Sequence, residues 1–128
     1  MEFHHAGIAT READALVDLY GELLDAPLVH EEEIDDLRVV FLDVGGSYFE
    51  LLEPLDEDGT VARYLDGNGP GVHHLALATD DVAAALDAAR RAGVECIDDR
   101  PRPGAWGHDV AFLHPKSTGG VLIEFVEA

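Results

Sequence analysis

Two copies of a histidine-rich segment constrain the fold of this chain more than any other feature. The first copy is Phe3-His4-His5-Ala6-Gly7-Ile8-Ala9, and the second is Val72-His73-His74-Leu75-Ala76-Leu77-Ala78. In each copy a His-His pair is followed by small and aliphatic residues, then by an acidic turn and a helix-like run. The repetition predicts two similar halves that face each other, with one histidine of each pair meeting in the middle.

Hydrophobic periodicity predicts the same order of elements in both halves. The first half is expected to contain a helix over Ala13–Leu24, with Thr10 as its N-cap, and strands over Glu2–Ala9, Leu28–Glu33, Leu37–Val44 and Ser47–Glu53. The second half is expected to contain a helix opened by Asp80 and Asp81, and strands over Val72–Ala78, Val94–Asp98, Val110–His114 and Val121–Glu127. A short helix capped by Thr60 joins them. We therefore expect an α+β fold, a single domain over residues 1–128 with paired βαβββ modules over about 1–66 and about 71–128.

The charge balance limits the partners of the chain. The sequence has 8 Lys and Arg residues against 27 Asp and Glu, which gives a net charge of −19. Nucleic acid and anionic membranes need a basic surface, so we expect neither as a partner. Lys116 is the only lysine, and this depletion favours adaptation to high salt over ordinary acidity. The single cysteine, Cys96, excludes an internal disulfide and is typical of a reducing cytoplasm, and no signal peptide or membrane span is recognisable.

Strand alternation places the two histidines of each pair on opposite faces. His74 shares its face with Ala76 and Ala78, and His5 shares its face with Gly7. Small residues beside a histidine leave space for a ligand, so His5 and His74 are predicted to line a cavity. The alternative is that each is a core histidine bonded to the backbone.

The last strand of each half carries one glutamate in an apolar run, Glu50 in Tyr48-Phe49-Glu50-Leu51-Leu52 and Glu124 in Val121-Leu122-Ile123-Glu124-Phe125-Val126. An unpaired buried carboxylate is strongly unfavourable, and one divalent cation removes that penalty for both side chains. Two imidazoles and two carboxylates suit Co²⁺, Mn²⁺, Ni²⁺ or Zn²⁺. Four protein ligands on an octahedral ion leave two adjacent positions for a chelating substrate. The alternative for each glutamate is a strand residue that faces solvent at a sheet edge.

Four segments carry a resemblance to a known family, and the resemblance covers essentially the whole chain. They are His5-Ala6-Gly7-Ile8-Ala9, Glu50-Leu51-Leu52-Glu53-Pro54-Leu55, Gly71-Val72-His73-His74-Leu75-Ala76 and His114-Pro115-Lys116-Ser117-Thr118-Gly119-Gly120-Val121-Leu122-Ile123-Glu124. With them the chain resembles the vicinal oxygen chelate superfamily and, within it, the methylmalonyl-CoA epimerase family. The resemblance implies a metal-lined cleft in which one divalent ion is bound by His5, Glu50, His74 and Glu124. Co²⁺ is the first candidate for this ion, followed by Mn²⁺, Ni²⁺, Zn²⁺ and Mg²⁺.

The implied reaction inverts C2 of methylmalonyl-CoA through an enolate that the cation stabilises. Glu124 and Glu50 are the candidates for removing and returning the C2 proton. Some members of the family have glutamine where Glu50 stands. Some bacterial members carry an acid/base glutamate on the strand that matches Leu37–Leu42, and here that strand has no acid. The second proton-transfer group is therefore not assigned by the resemblance.

The resemblance also implies an acyl-CoA substrate and a homodimer. Coenzyme A is polyanionic, so a local basic patch is expected from residues that we place in loops or turns: Arg63, Arg100, Arg102 and Lys116. Two alternatives stay open. One is another enzyme of the superfamily, such as a glyoxalase-type isomerase of glutathione adducts. The other is a non-catalytic module that binds a small molecule without metal.

Overall fold

The computed structural model describes residues 1–128 as three α-helices and eight β-strands. The helices are α1 (Ala13–Leu24), α2 (Thr60–Asn68) and α3 (Val82–Arg91). The strands are β1 (Glu2–Ala9), β2 (Leu28–Ile34), β3 (Leu37–Val44), β4 (Ser47–Pro54), β5 (Gly71–Ala78), β6 (Arg102–Pro103), β7 (Asp109–Leu113) and β8 (Ile123–Glu127). The order β1-α1-β2-β3-β4 recurs as β5-α3-β6-β7-β8, so the predicted α+β class and paired βαβββ modules are confirmed. None of the helices has the length and hydropathy of a membrane span.

The chain forms two compact units. The N-terminal unit is His5–His73, and the C-terminal unit combines Met1–His4 with His74–Ala128. The chain passes from one unit to the other within β1 and again within β5. His5 and His74 are the first residues after these two crossings.

The N-terminal unit contains four strands in the order β2-β3-β4-β1. β1 runs parallel to β4, and β3 is antiparallel to both of its neighbours. One face of this sheet packs against α1 around a buried cluster of Ala13, Ala26, Val40, Leu42 and Leu51. Leu16, Val17 and Tyr20 pack against this cluster from α1, as their helical spacing predicts. Because α1 packs on one face of the sheet, the opposite face is the one that can carry a functional site.

The C-terminal unit contains four strands in the order β5-β8-β7-β6. β5 runs parallel to β8, and β7 is antiparallel to both β8 and β6. The face covered by α3 is built from Val82, Leu86, Ala111, Leu113 and Phe125. Cys96 packs against this cluster as a free, partly buried thiol and fills space there as a small hydrophobic residue.

A glutamate near the end of the last strand caps the long helix of each unit. Glu53 Oε2 accepts a hydrogen bond from Ala13 N at 3.0 Å, and Glu127 Oε1 accepts one from Val82 N at 2.9 Å. Each of these glutamates lies three positions after the glutamate of the apolar run. The carboxylates bind the first amides of α1 and α3, which have no partner within their own helices.

Arg38 strengthens this arrangement in the N-terminal unit. It contacts Glu31 at 2.7 Å, Asp14 at 2.8 Å and Glu53 at 3.5 Å. The pKa of Arg38 is raised above its usual value, first by the hydrogen bond to Glu31 and next by the hydrogen bond to Asp14. Arg38 is therefore a permanent cation beside the start of α1.

The structure differs from the sequence-based prediction at three places. Residues 94–98 form no strand, only a single bridge between Cys96 and Leu113. The carboxylate of Asp98 accepts a hydrogen bond from Phe112 N at 2.8 Å, in place of a backbone hydrogen bond between strands. The edge strand next to β7 is β6 instead. Thr10 and Thr60 are not helix N-caps, because the N-cap of α1 is Glu12 and the N-cap of α2 is Gly59. Neither Glu12 nor Gly59 makes a capping hydrogen bond through a side chain.

Candidate metal centre

The first pair of candidate ligands lies within the N-terminal unit. His5 is on β1 and Glu50 is on β4, and the register aligns His5 with Tyr48 and Gly7 with Glu50. Residues opposite each other on paired strands point to the same face, so His5 and Glu50 share a face two residues apart along the strands. The distance between His5 Nε2 and Glu50 Oε1 is 3.3 Å. His5 is only 3% exposed and Glu50 only 6%.

The second pair repeats this geometry within the C-terminal unit. His74 is on β5 and Glu124 is on β8, and the register aligns Ala76 with Glu124. The distance between His74 Nε2 and Glu124 Oε1 is 3.1 Å. His74 is 4% exposed and Glu124 is 7% exposed. The structure therefore brings His5 together with Glu50 and His74 together with Glu124.

An aromatic ring orients each histidine. Phe41 of β3 contacts His5 edge-on at 5.6 Å between ring centroids, and Phe112 of β7 contacts His74 edge-on at 5.5 Å. Both phenylalanines stand opposite the glutamate of the pair, since Phe41 aligns with Glu50 and Phe112 aligns with Glu124. Each pair thus has the same three-part arrangement of imidazole, carboxylate and supporting ring.

The chemistry of the four donors fits a divalent cation. In each unit an imidazole nitrogen points at a carboxylate oxygen in a buried environment, where isolated charge is unfavourable. The interpretation of Glu50 and Glu124 as solvent-facing edge residues is wrong, because both are buried. Nitrogen and oxygen donors in equal number suit the borderline ions of the first transition row, so a buried group of histidine and glutamate side chains here suits a divalent metal ion.

Two further polar pairs involve the outermost strands, beyond these rings, and the sequence analysis recognised neither pair. In the N-terminal unit, His30 Nε2 and Glu32 Oε1 of β2 are 2.8 Å apart, and the His30 ring is 6.1 Å from Phe41. In the C-terminal unit, Arg102 Nε of β6 donates to Asp98 Oδ1 at 3.0 Å. His30 and Glu32 lie two positions apart on β2, so their shared face could have been recognised from the sequence. The contact of Arg102 with Asp98 depends on the conformation of a loop, which the sequence does not define.

The basic residues expected to form one patch occupy separate environments. The prediction that all four lie in loops or turns is wrong for Arg63, which lies in α2, and for Arg102, which lies in β6. Lys116 lies in a 3-10 turn, 3.9 Å from Glu95. Arg100 is exposed and lies outside the helices and strands.

Comparisons with known proteins agree with this arrangement. The sequence model of the Glyoxalase/Bleomycin resistance protein/Dioxygenase superfamily matches residues 4–112. The chain is 33% identical over 125 residues to the ethylmalonyl-CoA/methylmalonyl-CoA epimerase of Cereibacter sphaeroides, an alignment that covers 94% of this chain and 93% of that relative.

Solved structures show the same similarity in three dimensions. The methylmalonyl-CoA epimerase from Mycobacterium tuberculosis superimposes with a TM-score of 0.93 at 38% identity, covering 98% of this chain and 87% of that chain. A methylmalonyl-CoA epimerase in complex with methylmalonyl-CoA and NH4+ superimposes with a TM-score of 0.92 at 39% identity, covering 99% of this chain and 94% of that chain.

Proposed function

The chain belongs to the Glyoxalase/Bleomycin resistance protein/Dioxygenase superfamily, and from that membership we propose that it is an isomerase, a methylmalonyl-CoA epimerase. It interconverts the (2R) and (2S) epimers of methylmalonyl-CoA by removing and returning the proton at C2. The observation that carries the proposal is the duplicated, buried His–Glu pair. Its support is the similarity, over nearly the full length of both chains, to epimerases of this substrate.

The proposed metal centre combines both pairs, so that His5, Glu50, His74 and Glu124 hold one ion. All four side chains are buried, and each offers one ligand atom. The likeness of the pairs supports the combination, because both have the same donors and the same supporting ring. When bound, a divalent cation supplies positive charge for the oxygen on which negative charge develops as the C2 proton leaves.

Glu124 and Glu50 are the proposed proton-transfer residues. A carboxylate beside C2 removes the proton from one face, and a second group returns a proton to the other face. Val39 and Phe41, which share the site face of β3, cannot carry a proton. In the N-terminal unit the proposal rests on Glu50 because its carboxylate lies 3.3 Å from His5 Nε2, and Glu124 has the matching place beside His74 in the C-terminal unit.

Three finer points belong to the same proposal. Co²⁺ is the proposed ion, ahead of Mn²⁺, Ni²⁺, Zn²⁺ and Mg²⁺, because imidazole and carboxylate ligands in equal number favour a borderline ion. The proposed assembly is a homodimer, and the proposed location is the cytoplasm, where one unpaired cysteine is compatible with reducing conditions.

Deuterium incorporation tests this function directly. The purified protein, loaded with Co²⁺ in molar KCl, is incubated with (2R)- or (2S)-methylmalonyl-CoA in D₂O. We expect deuterium at C2 together with the opposite epimer, faster than the uncatalysed exchange. Glu124→Gln should suppress both, and loss that persists at full metal occupancy assigns Glu124 a proton-transfer role. Turnover of a glutathione hemithioacetal without exchange would instead favour a glyoxalase-type isomerase, and no reaction with either substrate would favour a binding module.

A further inference from the structure

The substrate of the proposed reaction is a polyanion, whereas the chain carries a net charge of −19. Binding therefore needs a cation close to the site. Among the 8 lysines and arginines, only Arg38 and Arg102 lie in strands. Arg38 points to the face covered by α1, where it contacts Asp14 of that helix. Arg102 is left as the one basic residue that a strand can place on a site face.

The register places Arg102 on the same face as His74 and Glu124. Arg102 aligns with Val110 on β7, and Val110 aligns with Val126 on β8. Val126 is two residues from Glu124 and therefore points to the same side of the sheet. The guanidinium carbon of Arg102 lies 5.5 Å from the centroid of the Phe112 ring. The same ring supports His74, so Arg102 lies one aromatic ring away from a proposed metal ligand.

Asp98 fixes the direction of the guanidinium. One carboxylate oxygen accepts from Arg102 Nε at 3.0 Å, and the other accepts from Phe112 N at 2.8 Å. Asp98 is thereby attached to the backbone of β7 and holds the arginine by its inner nitrogen. The two outer nitrogen atoms of Arg102 are not used in this contact, and the side chain is 46% exposed. An arginine held in this way presents a flat pair of donors to an anion.

We propose that Arg102 binds an anionic oxygen of the acyl-CoA substrate and so determines specificity for that substrate class. The inference rests on the proposed function, because it needs an acyl-CoA in the site. The anion is either the free carboxylate of the malonyl group or a phosphate of coenzyme A, and both match the two outer nitrogens of a guanidinium. Asp98 is a positioning residue that acts through Arg102.

The test compares Arg102→Gln and Arg102→Lys with Arg91→Gln. Arg91 is an exposed arginine in the last turn of α3, the helix that covers the other face of this sheet, so its variant makes the same change in net charge away from the site face. For Arg102→Gln we expect KM for methylmalonyl-CoA to rise about tenfold with kcat nearly unchanged, because a partly exposed charge-assisted contact is lost. Arg102→Lys should recover part of this loss, and Arg91→Gln should match the parent.

Two further ligands distinguish the sources of the anion. Propionyl-CoA, used as a competitive inhibitor, keeps the phosphates but lacks the carboxylate. The N-acetylcysteamine thioester of methylmalonate keeps the carboxylate but lacks the phosphates. If Arg102→Gln raises the Ki of propionyl-CoA, Arg102 contacts a phosphate of coenzyme A. If Arg102→Gln raises the KM of the short thioester, Arg102 contacts the carboxylate. Both outcomes support the proposal.

The proposal is overturned if all three ligands bind Arg102→Gln and Arg91→Gln equally well, or if Arg102→Gln loses only kcat. An unchanged thermal midpoint for Arg102→Gln and Arg102→Lys shows that the fold is intact in these comparisons. Failure of the proposed function looks different, because the parent protein itself would then show no epimerisation and no inhibition by propionyl-CoA.

Discussion

The glutamates that cap α1 and α3 make a quantitative prediction about stability. Glu53 is the only side chain that accepts a hydrogen bond from the first turn of α1, since Glu12 at the N-cap makes no cap bond. In α3 the first turn has two acceptors, Glu127 for Val82 N and Asp81 for Ala84 N. Loss of Glu53 should therefore cost more than loss of Glu127.

The structure allows both costs to be worked out in order of magnitude. A lost helix cap costs about 1 kcal/mol and up to about 2 kcal/mol when no other group replaces it. Glu53→Ala also takes one partner from Arg38, so we expect about 2 kcal/mol for Glu53→Ala and about 1 kcal/mol for Glu127→Ala. At roughly 2.1 cal/mol/K per residue, a chain of 128 residues has an unfolding entropy near 0.27 kcal/mol/K, or about 4 °C in Tm for each kcal/mol.

The assay is thermal and urea unfolding followed by circular dichroism, with all variants in the same molar KCl. Removing any carboxylate from a chain of net charge −19 lowers self-repulsion, so Glu57→Ala serves as the charge-matched control. Glu57 forms an exposed ion pair with Arg11 at 2.7 Å, which should be worth little. We expect Tm losses of about 8 °C for Glu53→Ala and about 4 °C for Glu127→Ala relative to this control. Equal losses for the two caps, or a larger loss for Glu127→Ala, would refute the reasoning.

Two shorter predictions concern the metal and the salt dependence. His74→Ala should lose most of its Co²⁺ affinity in equilibrium dialysis, while His73→Ala, one residue away on the other face of β5, should retain it; equal retention by both variants would mean that the metal site is misplaced. Thermal unfolding in dilute buffer and in molar KCl should show a large gain in Tm with salt, because 27 acidic side chains face only 8 basic ones; equal midpoints would contradict adaptation to high salt and leave the function untouched.

Much of the fold followed from local patterns, and the reasons are visible in particular elements. The helix over Ala13–Leu24 and the strand over Leu37–Val44 were predicted with the bounds that the structure has. The helix has an apolar period matched to one packed face, and the strand has a continuous apolar run that is buried on both faces. Strand parity also selected His5 and His74 over their neighbours, and these two are buried whereas His4 and His73 are partly exposed. Alternation over a few residues is a short-range property that sequence records directly.

Contacts between distant segments could not be predicted in the same way. The bond from Ala13 N to Glu53 joins residues 40 positions apart, and the bond from Val82 N to Glu127 spans 45 positions. Thr10 looked like the cap because N-cap preferences describe only adjacent residues. In the same way, Val94–Asp98 has the composition of a strand. The carboxylate of Asp98, however, accepts the hydrogen bond from the backbone N–H of Phe112, so the pairing of this segment with β7 does not continue.

The two units are most alike where the proposed metal ligands lie and least alike on their outermost strands. The histidine, the glutamate, the phenylalanine and the capping glutamate all recur, but β2 carries the pair of His30 and Glu32 where β6 carries Arg102. Two equivalent pairs of donors suit a metal ion, because an ion is spherical and has no distinct ends. A thioester that bears a carboxylate at one end and a nucleotide at the other is not symmetric, so the protein must distinguish its ends with groups that are not repeated. In the proposed function, discrimination of the substrate therefore depends on the outer strands, where the two units differ, and metal binding depends on the inner strands, where they are alike.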